Sequence, residues 1–138
     1  MKKPIIFAVI ALVLGAGGTA FFMMQHAKPK VPKPLPKFIE KLAERTINLN
    51  DSNGNHFCKL TVALEISGKG EAAKVVEEKG SALLDVVILT VSKQSYYKLL
   101  SIEGKEHLKG EMLKEFKEIL KEDKWEVHEV YFDDMVME

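Results

Sequence analysis

An α/β architecture is predicted: a small two-layer α/β domain behind a single N-terminal transmembrane helix. Three observations carry it. Residues 5–24 contain no charge, residues 57–66 alternate apolar and polar side chains, and residues 102–122 place their apolar side chains on one face of a helix.

The 138 residues include 20 basic and 20 acidic side chains. That neutrality argues against nucleic acid as a partner, because binding to phosphates draws on a basic excess. The length supports one ordinary domain rather than a two-domain enzyme with a cleft between its halves. The charges are segregated, however. Lys2, Lys3, Lys28, Lys30 and Lys33 stand in residues 1–36 with no acid, leaving 15 basic and 20 acidic residues in 37–138. Two parts facing two environments are implied, with a boundary near residue 37.

The organisation expected is a cytoplasmic N-terminus (1–4), a transmembrane helix (5–24), a Pro/Lys-rich linker (25–37) and a folded domain (38–138). Ile5 to Met24 would span roughly 30 Å as a helix, the thickness of a bilayer core. A cleaved signal peptide fits less well. Gly18-Thr19-Ala20 has the small residues of a cleavage site, but Phe21 to Met24 continue the apolar run beyond it. Ala8, Ala11, Gly15 and Gly18 form a stripe of small side chains, which is either a helix–helix contact or ordinary membrane-helix composition. Lys28 to Pro36, K-P-K-V-P-K-P-L-P, holds four of the five prolines. Proline lacks an amide donor and holds its predecessor extended, so this segment reads as a semi-rigid spacer. Lysines flank the anchor on both sides, so the positive-inside rule leaves its orientation open. The lone Cys58 excludes an intramolecular disulfide and does not report a compartment.

Within the domain, Thr46 to Leu49 and Phe57 to Ile66 read as two strands joined through Asp51-Ser52-Asn53-Gly54-Asn55, a turn cluster containing Asn-Gly. A calcium loop beginning at Asp51 is rejected, because its sixth position would be His56 rather than Gly and its twelfth Val62 rather than Glu. Glu71 to Lys79 reads as a short helix ended by Gly80, with Ala72, Val75 and Val76 on one face. Ser81 is then the expected N-cap of a helix over 82–92 facing inward with Leu84, Val87, Ile88 and Val91, although a buried strand also fits that β-branched run. From Ile102 to Glu122, Leu108, Met112, Leu113, Phe116, Ile119 and Leu120 form an apolar stripe. Glu111 with Lys114 and Glu118 with Lys121 are placed for ion pairs at i,i+3. Trp125 to Met137 reads as a long closing strand.

The sequence carries no recognisable catalytic pattern. His26, His56, His107 and His128 have no partners at metal-ligand spacing and read as surface residues, so no metal is expected. Neither a phosphate-binding G-x-x-x-x-G-K-[ST] loop nor a G-x-S-x-G elbow occurs, and no cofactor is expected. Cys58 falls on the apolar face of its strand, as a small buried hydrophobe does. Asp133 and Asp134, adjacent in a strand, should point to opposite faces and so fail to pair. A protein that is not an enzyme and works by contact with other proteins is the reading that remains.

Three blocks carry a family resemblance. Asn48-Leu49 precedes the strand F-C-K-L-T-V-A-L-E-I. Leu100, Ser101, Glu103, Gly104, Lys105 and Leu108 match L-S-x-E-G-K-x-x-L-K, and Val127, Val130, Tyr131 and Phe132 match V-x-x-V-Y-F. With the basic start, anchor and spacer in front of them, these blocks resemble the FliL family of flagellar basal body proteins. The last residues, Met135 to Glu138, and the Tyr96-Tyr97 pair depart from the family pattern.

The resemblance implies a fold of the stomatin/prohibitin (SPFH-like) type on the outer face of the cytoplasmic membrane, which is the inner membrane where two exist. It implies a homo-oligomeric ring around flagellar stator proteins of the MotA/MotB type, supporting motor rotation and swarming motility. It also implies the orientation that lysine counting leaves open. The alternative is a membrane-anchored SPFH-like scaffold unrelated to the flagellum.

Overall fold

Among the described residues four strands and four helices follow one another in the order β1 (Lys37–Lys41), β2 (Arg45–Asn48), β3 (Phe57–Ser67), α1 (Ala72–Glu78), α2 (Gly80–Ser92), α3 (Tyr96–Leu100), α4 (Ile102–Lys121) and β4 (Glu126–Met137). This computed structural model describes residues 32–52 and 54–138. The expected anchor at 5–24, its stripe of Ala8, Ala11, Gly15 and Gly18, and His26 lie outside the described residues. Among the described residues no helix is long and apolar enough to cross a membrane. Residues Leu35–Glu138 form a compact unit.

β3 is the centre of the sheet. β4 pairs antiparallel with it from Cys58 to Ser67. Its other edge is shared end to end by β1, opposite 63–67, and β2, opposite 57–60. Between these two short strands the amide of Leu42 still donates to the carbonyl of Val62 at 2.8 Å, so they act as one edge strand with a local break. Cys58, Leu60, Val62, Leu64 and Ile66 are buried together, as the alternation predicts. Burial raises the pKa of the Cys58 thiol to about 11, so this cysteine is a core residue and not a nucleophile.

β4 is irregular for a physical reason. Its register against β3 shifts between Thr61 and Val62 and again between Glu65 and Ile66, leaving Asp133 and His128 as extra residues. These bulges keep Val127, Val130, Phe132, Met135 and Met137 opposite the inward residues of β3 although their spacing alternates between three and two. The first bulge corrects the reading of Asp133 and Asp134. Asp133 binds Lys41 at 2.9 Å and Asp134 lies opposite Thr61, so both face outward and are exposed.

The helices cover one face of the sheet. α4 packs on β4 and α2, α2 also meets β2, and α1 meets β1. Leu108, Met112, Phe116 and Leu120 of α4 are fully buried, while Leu113 and Ile119 pack at the margin. A mixed α/β domain in two layers results, with the second face of the sheet open.

Three helical details differ from expectation. Residues 82–92 are helical as expected, but their helix begins at Gly80 without a side-chain cap from Ser81. α1 does end at Glu78, next to Gly80, but Gly80 opens α2 rather than terminating α1 through a positive φ; among the described glycines only Gly54 and Gly70 have one. The buried face of α2 is Leu83, Val87, Thr90 and Val91, with Ile88 exposed, because the helix is rotated so that Leu83 enters the core. The ion pairs expected on α4 do not form. Glu111 instead meets Gln94 Nε2 at 3.0 Å and His107 at 3.7 Å, and Lys109 meets Glu106. β1 and α3, each five residues long, had no periodic signal to announce them.

Leu64 sits in the middle of the core strand with no exposure. Leu64→Ala should therefore destabilise the domain by about 2–5 kcal/mol in urea unfolding, by lost burial plus the cavity left behind.

Candidate interaction surface

The block Leu100 to Leu108 builds a sharp corner between two helices. Ser95 caps α3, accepting from the Lys98 amide, and Ser101 caps α4, accepting from the Gly104 amide at 3.0 Å. The Ser101 hydroxyl also donates to the Lys98 carbonyl at 2.8 Å, so one oxygen ties the end of α3 to the start of α4. Gly104 is there for room, since a Cβ would run into that same carbonyl. Glu103 is the acid of the first turn, where the helix dipole favours it, and Leu108 is a core residue. Lys105 is half-buried and makes no ion pair among the described residues. The corner leaves Tyr97, Leu100 and Ile102 in solvent, 76%, 51% and 73% exposed.

The β2–β3 turn docks against this corner. Both carboxylate oxygens of Asp51 accept from the Tyr96 amide, at 3.1 and 3.2 Å, and the Asn50 amide donates to the Gln94 carbonyl. His56 stacks on Tyr96 with ring centroids 4.4 Å apart. Its Nδ1 lies 3.2 Å from Asp51 Oδ2 without hydrogen-bond geometry. Two of the histidines expected at the surface are thus partly enclosed, since His128 Nε2 meets Ser67 Oγ at 2.7 Å. His107 stays on the surface of α4. Among the described residues no three His, Cys, Asp or Glu side chains converge on a metal site.

The open face of the sheet carries a polar network at its centre. Glu65 receives Lys37 at 2.6 Å on one carboxylate oxygen and the Tyr131 hydroxyl at 3.0 Å on the other. The Lys37 hydrogen bond, then that of Tyr131, holds the Glu65 carboxyl below its ordinary range. The same carboxylate raises Lys37 and Tyr131 above theirs. Beside the network Ile39 is 61% exposed, and Val136 lies further along β4. Of the V-x-x-V-Y-F block, Val127 and Val130 are core, and Phe132 lies 5.6 Å below the Lys109 ammonium, leaving Tyr131 for the open face. A shallow cleft between α2 and α4, lined by Val86, Leu89, Thr90, Lys93, Glu111 and Lys114 among others, adds a third partly apolar area.

Most of the block residues therefore hold the fold, and Leu100 and Tyr131 are the two large ones that reach solvent. Glu65, Ile39 and Ile102 were not singled out by sequence, and Tyr97 only as a departure from the family pattern. Glu65 belonged to the polar set of its strand, and exposed apolar residues give no periodic signal of their own.

Ser101→Ala should cost about 1 kcal/mol in chemical unfolding, because two backbone groups lose one shared partner. For Glu65 the lowered folded pKa means stability that is present above the unfolded value and lost as pH falls through the folded one. Lys37 and Tyr131 act with the opposite sign, losing their contribution at high pH. Melting temperature should thus fall on acidification below about pH 4.3, and Glu65→Gln should remove that part of the fall.

Comparison with known proteins places these features in a family. Residues 39–137 match the family described as flagellar basal body-associated protein FliL. The flagellar protein FliL of Aquifex aeolicus (strain VF5) is 30% identical over 111 residues, covering 80% of this chain and 67% of that protein. With its central strand, helical corner and closing strand all inside the matched region, the chain belongs to the FliL family of flagellar basal body-associated proteins.

Proposed function

We propose that this chain is a non-enzymatic accessory of the flagellar motor, held in the cytoplasmic membrane by residues 5–24. Its domain, of the stomatin/prohibitin type, works outside the cytoplasm, on the far side of a linker at 25–37. There it assembles into a homo-oligomeric ring around stator units of the MotA/MotB type and supports rotation and swarming.

Family membership over residues 39–137 carries the flagellar part of this reading. The assembly part is supported by the surface: among the described residues, a sheet with one uncovered face and a separate apolar corner are suited to contact. The uncharged run and the proline-rich spacer support the anchor.

Alkaline phosphatase fused after Glu138 should be active in cells, and an inactive fusion would place the domain in the cytoplasm. The full chain extracted in mild detergent should sediment as a large oligomer and co-purify with stator subunits. A monomer that captures no stator subunit would refute the motor reading. Deletion of the gene should impair swarming more than swimming, scored as colony spread on soft and firm agar.

A further inference from the structure

The outer edge of β4 has no strand beside it among the described residues, since β4 pairs with β3 alone. The free backbone groups belong to particular residues. Glu138 exchanges both hydrogen bonds with Phe57, at 2.8 and 3.1 Å, so the alternation of an antiparallel pair turns the amides and carbonyls of Met137 and Met135 away from β3. On the other side of the bulge at Asp133 the Val130 amide also points outward, because the side chain of its own neighbour Glu129 takes it at 3.1 Å. Phe132, two residues on, follows it.

The side chains of these four residues face the helical layer. Val130 is buried, whereas Phe132, Met135 and Met137 are half-buried at the margin of the core. The residues between them, Glu129, Tyr131, Asp134, Val136 and Glu138, stand exposed toward the open face. β4 with Glu138 bears five acids and no lysine or arginine. The lysines that share the open face are already matched, Lys37 to Glu65, Lys41 to Asp133 and Lys59 to Glu44. Glu129, Asp134 and Glu138 are in no ion pair among the described residues.

We propose that the outer edge of β4, from Val130 to Met137, binds an extended segment of another protein as an added strand, in which apolar residues alternate with lysine or arginine. Register fixes that alternation. Residues of the added strand that bond to the outward backbone of Val130, Phe132, Met135 and Met137 lie beside those side chains, where an apolar group completes the margin of the core. Residues between them come up beside Glu129, Asp134 and Glu138, where a cation is favoured. β3 meets the same bulged strand with an unbroken alternation, Leu64, Val62, Leu60 and Cys58. Glu129 changes partner on docking: a carbonyl of the added strand takes over the Val130 amide, and the freed carboxylate turns to the cation. A second β4 is a poor occupant, since it sets acids against acids. β1 of a second copy is no better, because Lys37 and Lys41 are held within their own sheet. The acids and the bulges keep a long open edge from indiscriminate pairing. The contact concerns the folded domain and needs neither the anchor nor the ring.

The test uses the full chain in mild detergent and a fluorescent peptide, Lys-Val-Lys-Val-Lys-Val-Lys, followed by anisotropy. The peptide should bind and should slow hydrogen exchange at the amides of Phe132, Met135 and Met137. Its isomer Lys-Lys-Val-Val-Val-Lys-Lys should bind about tenfold more weakly, because it cannot keep both sides matched. Met135→Pro removes an outward amide that the ladder with β3 does not use, and should weaken binding about tenfold. Glu129→Lys with Asp134→Lys should shift the preference to Glu-Val-Glu-Val-Glu-Val-Glu. Absence of binding, equal binding of the two isomers, or binding without protection of those amides would overturn the added strand. An unchanged preference in the double lysine variant would overturn the role of the acids.

A second arm identifies the occupant. In cells, a photoreactive side chain at position 136 should give an adduct with a different protein, mapped by mass spectrometry to a segment with this alternation. An adduct confined to this chain, within one copy or between two, or one mapped to a segment without the alternation, would overturn the occupant.

Discussion

The shared strand β3 is the constraint on which the rest of the molecule depends. Each of its inward residues must meet a partner from the helical layer, while its backbone must satisfy neighbours on both edges. One edge is served by two short strands in line, the other by a single long one. Because the helices occupy one face only, the other is left in water, with Ile39, Tyr131 and Val136 exposed beside the Lys37–Glu65–Tyr131 network. The asymmetry that makes the fold simple also leaves it a surface to use.

The family blocks divide along the same line. The Ser101 hydroxyl and the missing side chain of Gly104 act on one carbonyl, that of Lys98, and together they set a turn between helices too tight for any other pair of roles. Val127 and Val130 close the core from the far edge. These residues form the platform, while the exposed Tyr97 and Ile39 lie outside the blocks and Ile102 stands at the unspecified position of one.

Elements with a long, unbroken period were legible in the sequence. β3 announced itself by strict alternation and α4 by its apolar stripe, and both appear at nearly the expected residues. β4 was legible as a strand, but its inward residues were not, since two bulges convert a period of two into steps of three and two. α2 was ambiguous because it is apolar almost all round. Its β-branched side chains fit strand or helix, and only the place left between α4 and β2 fixes which residues turn inward.

By itself the sequence determined the uncharged run, the proline-rich composition of residues 28–36, the central strand, the long helix and the family, because each is a local pattern in residue chemistry. Tertiary structure alone decided that Lys37, Glu65 and Tyr131 form one network, that Asp133 and Asp134 share a face, and that the corner and the acidic strand lie on opposite sides. The reason is pairing register. Lys37 and Glu65 are 28 residues apart and Glu65 and Tyr131 are 66 apart, and no local rule links residues so distant until strands are laid side by side.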